Sequence, residues 1–483
     1  MERELGPGTI QKTISLFKAA FDGLRVDIRL IQLERLAIMV HEAMMVQARS
    51  FHTPEHIFNL TDGSDPIQAL AALFHDVVYY EIDQGFTPEV EAVLARYIQE
   101  EMFGTGARHI RLIDRVPREG LAVADDRAIA DDRALDLTLG VFGFDYGQTL
   151  IPARGQNEFL RALLMNKKLE GVLRRRDLLE VTACIEATIP FRGPSEDGQS
   201  PMELLAARLL RVNKAQRLGM QEAEIVAAVR RAVTFSNRDV DNFGEQDTGS
   251  FLDNTWKLLP ETNPSLRLHG IYTIGSYRRA LEKMEAFLVH LDPDTVFSTY
   301  DDEPPPGEYA RRVAMAHRNV RTAREYLGLK LLAIGLLEAL AMISGGDAPV
   351  ALFMGGMEES EGTRKMEAYL PSIASSPSVD ETSTLFGLLA FGRASSSSFD
   401  LQNSPLSLFI FRLLGSDRAQ ALLVEAKRMF AGEIDARQFL ERVPAGIAVA
   451  VAKASAELAI TRRDALLAYA DSRLRRRLTA DLR

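Results

Sequence analysis

Apolar side chains recur at helical spacing along most of this chain. In the segment 28–47, Leu33 and Leu36 fall on one side of a helix, as expected for a helix that faces a core. Leu30 and Ile31 lie largely on the same side. Similar periodicity runs through residues 89–100, 158–173, 178–187, 222–236, 278–290 and 308–341. Because alternating runs typical of β-strands are scarce, the sequence predicts an all-α fold.

The chain is too long for a single hydrophobic core. Its 483 residues lead us to expect two or more packed units. Pro293 and the run Pro304-Pro305-Pro306-Gly307 cannot lie inside a continuing helix, so they mark a candidate boundary. We therefore predict one helical domain over residues 1–290 and a second helical domain of unknown role over residues 291–483.

Composition narrows the classes of partner and compartment. The net charge of −10 gives no global electrostatic reason to bind nucleic acid or an anionic membrane. The single cysteine, Cys184, excludes an intramolecular disulfide and fits a reducing cytoplasm. The N-terminus lacks the apolar core of a signal peptide. The most apolar stretch, residues 327–343, contains Lys330 and Glu338, so we expect it to be a buried helix of a cytoplasmic protein.

Histidines cluster near the N-terminus, since three of the eight fall between residues 52 and 75. Thr53 is a good helix N-cap, and Pro54 suits the first helical position. His56 then projects from the first turn of that helix. His52 lies just outside the cap, close enough to share a site with His56.

The next helix is predicted to begin at Asp65 and Pro66, again a cap followed by a proline. Apolar residues from Ile67 onward define a buried face, which His75 shares and Asp76 follows directly. A buried carboxylate without a partner is costly, and a divalent cation would compensate it. Imidazole and carboxylate ligands suit Mn, Fe, Zn, Co or Mg to differing degrees, so the residue types do not choose the metal.

These residues carry a resemblance to the HD superfamily of metal-dependent phosphohydrolases, whose signature is a lone His, an adjacent His-Asp pair and a distant Asp on helices. The segments Arg49-x-Phe51-His52-x-x-x-His56-Ile57 and Phe74-His75-Asp76-x-Val78-Tyr79 resemble those of a bacterial branch of predicted HD hydrolases. The close resemblance covers only about residues 45–82. It implies an HD-type helical bundle that binds a metal through His56, His75 and Asp76 and hydrolyses a phosphomonoester or phosphodiester. Family analogy makes a nucleotide the expected substrate.

The family pattern also requires a downstream aspartate, for which Asp136 and Asp239 are candidates. Ile225 lies on the apolar face of a long amphipathic helix that precedes Asp239. At about 100° per residue, the helical phase brings Asp239 within about 40° of Ile225. This phase favours Asp239 as the ligand, and Asp136 stays open as the alternative.

Several further residues are candidates for catalysis and for binding the substrate. Asp76 would ligate the ion and also steer the attacking water, and His52 would act as general acid. Arg49, Arg192 and Arg238 are candidates for neutralising a phosphate. Arg192 stands near where the family often has a further histidine, which weakens the case for two metals. Lys257, beside the only tryptophan, is another candidate, although its surroundings also fit core packing.

Two other functions stay open. A decayed HD unit would serve as a ligand sensor or assembly module, a role that the long unmatched C-terminal half makes credible. HD-type scaffolds also hold two irons and perform oxygenase chemistry, against which the shortage of further histidines argues. Homo-oligomerisation is compatible with the sequence.

Overall fold

The structure, a computed structural model, describes residues 8–102, 108–114, 132–267, 271–356, 364–395, 397 and 399–480. The chain forms two compact units. The first unit comprises residues 1–244 and 292–314, and the second comprises residues 245–291 and 315–483. Both are built from helices, and the described residues contain a single two-stranded sheet, so the predicted all-α fold is confirmed.

The first unit contains eleven of the described helices and the two strands. They are α1 (Gly8–Gly23), α2 (Leu30–Met44), α3 (Pro54–Thr61), α4 (Pro66–Phe74), α5 (Tyr80–Asp83), α6 (Pro88–Leu94), β1 (Ile98–Met102), β2 (Arg108–Leu112), α7 (Arg133–Phe142), α8 (Gln156–Leu169), α9 (Arg175–Ala187), α10 (Pro201–Gln216) and α11 (Glu222–Asp239). The strands pair antiparallel, with Ile98 opposite Leu112.

Helix α9 forms the centre of the first unit. From Asp177 to Ile189 every residue except Glu180 is buried, which is the pattern of a helix surrounded by others. Helices α4, α7, α8, α10 and α11 all pack against it. This packing brings α4 and α11, which lie far apart in sequence, to the same side of the core.

Two details of the predicted helices are wrong. The segment 89–100 ends its helix at Leu94, and Ile98 begins strand β1 instead. In α2, Leu33 and Leu36 are buried as predicted, but Leu30 and Ile31 are 72% and 52% exposed. Residues 30 and 31 occupy the first turn of α2, where the helix has not yet come against its neighbours.

The second unit is built around a long apolar helix. Its helices are α12 (Thr248–Thr262), α13 (Ile274–His290), most of α14 (Pro306–Ser344), α15 (Val350–Met354), α16 (Thr384–Phe391), α17 (Pro405–Phe430), α18 (Ala436–Arg442), α19 (Ala445–Leu458) and α20 (Arg463–Ala480). Helix α14 approaches α17 closely through Gly335, where a Cβ atom would lie 2.7 Å from the Phe430 ring. By length and composition alone, α14 is the one described helix that qualifies as a membrane span. Because 78% of its most apolar window is buried inside the protein, it fits the predicted buried helix.

The division into units differs from the predicted boundary at residues 290 and 291. Residues 292–314 belong to the first unit, where Asn237 on α11 and the backbone of Ser298 exchange hydrogen bonds of 2.9 and 2.8 Å. Helix α13 belongs to the second unit, where Glu285 pairs with Lys427 at 2.7 Å. The prolines lie at breaks between helices. The two units are defined by contacts between segments that are distant in sequence, and the positions of the prolines do not indicate those contacts.

The central position of α9 yields a stability prediction. Replacing Leu179, which is fully buried, with alanine leaves a cavity and should lower the free energy of unfolding by about 2–5 kcal/mol. The matched control is Leu210→Ala on α10, because Leu210 is 41% exposed and should cost only about 0.5 kcal/mol. Urea unfolding followed by circular dichroism measures both. Equal losses in the two variants would contradict a core centred on α9.

Candidate metal centre

His56 lies in the first turn of α3. The helix begins at Pro54, as predicted, and Thr53 precedes it in an extended conformation. Thr53 occupies the predicted N-cap position, but its side chain makes no capping hydrogen bond to the helix. The His56 side chain is 16% exposed, which leaves the imidazole at the edge of the buried space.

His75 directly follows α4. Asp65 caps that helix through a reciprocal hydrogen-bond pair with Gln68, and Pro66 is its first residue, as predicted. The Nδ1 atom of His75 lies 2.8 Å from the carbonyl oxygen of Ala72. Because a carbonyl only accepts, Nδ1 must carry a proton, so in the neutral ring it is Nε2 that keeps the lone pair a metal would bind. A backbone contact of this kind orients a metal-binding imidazole.

The two imidazoles meet two carboxylates. The Nε2 atoms of His56 and His75 are 3.3 Å apart. The Asp239 Oδ1 atom lies 3.2 Å from the His56 Nε2 atom and 3.5 Å from that of His75. The Asp76 Oδ2 atom lies 3.1 Å from the His75 Nε2 atom and 3.6 Å from that of His56. His56, His75 and Asp239 thus form a group that can hold a metal ion.

The structure places the two downstream aspartates differently. Asp239 is the last residue of α11 and lies beside the histidines, as its helical phase predicts. Asp136 lies in the first turn of α7 and instead accepts a 2.7 Å hydrogen bond from Tyr146. Of the two candidates, Asp239 is therefore the one placed to share a metal ion with His56 and His75.

The spacing of the donor atoms and the surroundings of Asp76 fit a bound cation. Ligands about 2.1 Å from one ion, separated by angles of about 90–110°, lie about 3.0–3.4 Å apart. The measured separations of 3.1–3.6 Å are close to this range. The Asp76 Oδ2 atom is also buried, and its close polar contacts are with the two imidazoles, at 3.1 and 3.6 Å. A buried carboxylate oxygen is normally satisfied, and a cation among these side chains would satisfy it.

The electrostatics of the group reflect this close approach. Burial disfavours a charged imidazole, but Asp76 and Asp239 outweigh it and raise the pKa of His75 to about 10. Burial opposes ionisation of Asp239 and Asp76 as well, yet the neighbouring histidines hold the pKa of both carboxyls below the usual range. Without an ion, a proton on His75 therefore partly compensates the two carboxylates.

Arg49 was predicted to bind substrate, but its guanidinium is buried and committed to other groups. It donates to both carboxylate oxygens of Asp83, at 2.9 and 2.5 Å, and to the backbone carbonyl of Asp76 at 2.5 Å. The side chain has no exposed surface. Arg49 therefore positions the backbone at Asp76, and its buried guanidinium presents no surface to a phosphate.

Sequence reasoning missed Arg161 and Glu158 on α8, which lie beside the group. The Arg161 Nη2 atom is 3.3 Å from the Asp76 Oδ1 atom, and its Nε donates to the Val78 carbonyl at 2.6 Å. Arg161 therefore holds one oxygen of Asp76 and leaves the other facing the histidines. Burial raises the pKa of Glu158, and the negative charges of Asp76 and Asp239 raise it further. The positive charge of Arg161 acts in the opposite direction. In the sequence, these residues belong to a cluster of polar residues, at positions 156, 157, 158 and 161, at the start of a helix that otherwise carries many apolar residues. In the structure all four are buried.

The remaining predicted residues lie in different places. His52 is beside the group, with its ring centroid 6.1 Å from that of His56. Arg238 turns towards the turn between α3 and α4, where it contacts Ser64 and Gly63 at 2.8 and 3.1 Å. Arg192 pairs with Glu186 at 2.6 Å. Lys257 is exposed on α12, in the second unit.

Comparison with protein-family models, with curated proteins and with solved structures found no match for this chain. The geometry of His56, His75 and Asp239 is therefore the evidence for what this centre does.

The geometry predicts different effects for the two aspartates considered above. Asp239→Asn removes a charged ligand and should weaken binding of Zn²⁺ or Mn²⁺ by about 100-fold or more, since even indirect partners of metal sites are worth 10–100-fold. Asp136→Asn makes the same chemical change away from the histidines and should leave the affinity unchanged. Competition titrations with a chelator of known affinity measure both. Equal affinities for the wild type and the Asp239 variant would contradict the assignment.

A second prediction follows from the raised pKa of His75, about 10 in the ion-free protein. At pH 7–8 that imidazole carries a proton, which an incoming cation must displace because a metal binds only the neutral ring. Metal binding should therefore release about one proton, and the affinity should rise with pH by up to about tenfold per unit. Calorimetry in two buffers of different ionisation enthalpy measures the released protons. A heat of binding independent of the buffer would contradict this account.

Proposed function

We propose that this protein is a metal-dependent phosphohydrolase that acts on a phosphomonoester or phosphodiester, with a nucleotide as the expected substrate class. One observation carries the proposal: the two imidazole Nε2 atoms lie 3.3 Å apart, and each lies 3.1–3.6 Å from one Asp76 oxygen and one Asp239 oxygen, which come from three parts of the chain. The order of these residues, with His75 and Asp76 adjacent, resembles the HD signature. The resemblance supports phosphoester hydrolysis as the reaction.

The proposed ligands are His56, His75, Asp76 and Asp239. A divalent ion held by them would lower the pKa of a bound water and polarise a phosphoryl oxygen. Asp76 has two roles in the proposal, because Oδ2 faces the histidines while Oδ1 contacts Arg161 at 3.3 Å. The fixed carboxylate can accept a hydrogen bond from the attacking water and orient it.

His52 is the proposed proton donor to the leaving oxygen. Its ring packs edge-on against Tyr79 at 4.8 Å between centroids, and against Phe51 at 5.0 Å. These contacts hold the imidazole beside His56 without placing it among the ligands. A general acid needs to be near the phosphate that the ion would bind, and the position of His52 beside His56, with ring centroids 6.1 Å apart, supports this role.

The test incubates the protein with a panel of nucleoside monophosphates and cyclic nucleotides, with Mn²⁺, Mg²⁺, Co²⁺, Zn²⁺ or Fe²⁺ added. Hydrolysis is followed as release of inorganic phosphate from the monophosphates and as formation of nucleoside monophosphates from the cyclic nucleotides. We expect hydrolysis by the wild type and by Asp136→Asn, and its loss in Asp76→Asn. His52→Gln should lower kcat by about 100-fold or more while metal affinity stays unchanged, because loss of a general acid typically costs this much.

The same panel separates the proposal from its alternatives. A ligand sensor would bind the ion and a nucleotide without hydrolysing any member of the panel. A di-iron oxygenase would take up two irons per chain and consume oxygen. Either result, or hydrolysis that is unaffected by Asp76→Asn, would overturn the phosphohydrolase proposal.

A further inference from the structure

Exposed apolar side chains in the first unit are concentrated on α2. The described part of that unit exposes six large apolar side chains, and four of them lie on α2 or its C-terminal cap: Leu30, Ile31, Ile38 and Met45. The other two, Ile151 and Leu210, lie outside α2. Single exposed apolar residues are normal on a protein surface, whereas several on one element are typical of an interaction site.

Three of these side chains form a stripe along the helix. Ile31, Ile38 and Met45 are spaced seven residues apart, so each step of about two turns moves them by only about 20° around the helix axis. Their exposed fractions are 52%, 40% and 39%. The buried residues Leu33 and Val40 lie about 160–180° from Ile31, on the side that packs against the core. The stripe therefore faces solvent along the length of α2.

Polar side chains flank the stripe on both sides. At about 100° per residue, Arg35 and Glu42 lie on one flank, about 20–40° from Ile31. Glu34 and His41 lie on the other flank, about 60–80° from Ile31. Within the described part of the chain, the charged groups of residues 34, 35 and 42 form no ion pair. Each flank thus offers one carboxylate and one group that can bind a carboxylate.

We propose that a second copy of this chain covers the stripe, through an antiparallel pairing of the two α2 helices about Ile38. The two-fold axis of such a dimer packs Ile38 against its own counterpart and Ile31 against Met45 of the other copy. The same surface then serves both copies, and the apolar stripe is removed from water. The inference is independent of the proposed function, because α2 contributes no ligand to the candidate metal centre.

The flanking groups complement one another in this arrangement. Antiparallel helices bring the same flank of each copy together, so a residue before position 38 lies level with one equally far after it. Arg35 then lies within about 1.5 Å, measured along the axis, of Glu42 of the other copy. On the second flank, Glu34 lies at the same offset from His41 of the other copy. Complementary pairs therefore form on both sides of the apolar contact, which fixes the register of the two helices.

The helix dipoles favour the antiparallel direction. A parallel pairing also brings Arg35 beside a carboxylate, that of Glu34 of the other copy, but it sets the like-charged ends of the two helices side by side. An anionic membrane fits the surface less well than a second copy does. The flanks carry two carboxylates against one guanidinium, and this excess of negative charge is repelled by anionic lipids.

The size of the stripe indicates a weak dimer. Helix α2 has 15 residues and is therefore about 22 Å long. Its stripe supplies one apolar residue per seven, whereas a stable coiled coil supplies two. An interface made by one such helix from each copy falls at the low end of the sizes found for specific complexes. We therefore expect a Kd of about 10–100 µM.

The test is sedimentation velocity of the full chain at about 1–300 µM, a range that spans the expected Kd. The wild type should pass from monomer to dimer across this range. Ile38→Glu places two carboxylates together at the two-fold axis and should raise the Kd by about tenfold or more. Leu210→Glu on α10 is the matched control, because Leu210 is 41% exposed, and it should dimerise as the wild type does. Circular dichroism checks that each variant is folded.

Exchange of the flanking charges tests the direction of the pairing. Arg35→Glu should weaken the dimer, because the new carboxylate faces Glu42 of the other copy. The combined variant Arg35→Glu and Glu42→Arg should recover dimerisation, since it restores unlike charges across the axis. A chain that stays monomeric at every concentration, equal effects of Ile38→Glu and Leu210→Glu, or no recovery in the combined variant would overturn the inference.

Discussion

Two carboxylates and two imidazoles meet in a largely buried space, and this contact organises the first unit. Asp76 and Asp239 would repel one another there unless positive charge lay between them. In the absence of an ion, a proton on His75 supplies part of that charge, which is why its pKa rises to about 10. A divalent cation would supply it more completely and would bind the buried Asp76 oxygen that faces the histidines. Helices α3, α4 and α11 are packed so that these atoms converge.

Two buried arginines hold the chain in this arrangement. Arg49 reaches the Asp76 carbonyl and Asp83, and Arg161 reaches the Asp76 carboxylate and the Val78 carbonyl. Both contacts fix the segment that follows α4, where the His-Asp pair leaves the helix. A carboxylate ligand is most effective when its orientation is set before the ion arrives, because little is then lost in ordering it. The guanidinium groups thus hold the backbone and one carboxylate oxygen of Asp76 in place.

Helix capping and helical phase, which depend only on residues close together in sequence, predicted much of the candidate site. The cap at Asp65 and Pro66 set the start of α4, and helical phase placed Asp239 on the correct side of α11. The partners of the arginines could not be predicted in this way. A sequence does not show which carbonyl, tens of residues away, an arginine will reach, so Arg49 was assigned to a phosphate and Arg161 was missed. The unit boundary failed for a related reason, since it depends on contacts between distant segments.

We propose that the side chains of residues 56, 75, 76 and 239 bind one divalent ion. X-ray absorption spectroscopy of the full chain loaded with one equivalent of Zn²⁺ tests it most directly. We expect a nearest shell of nitrogen and oxygen at about 2.0–2.2 Å, with the multiple-scattering pattern of two imidazole rings. A spectrum with oxygen ligands alone, or one unchanged when His75 is replaced by alanine, would contradict the account.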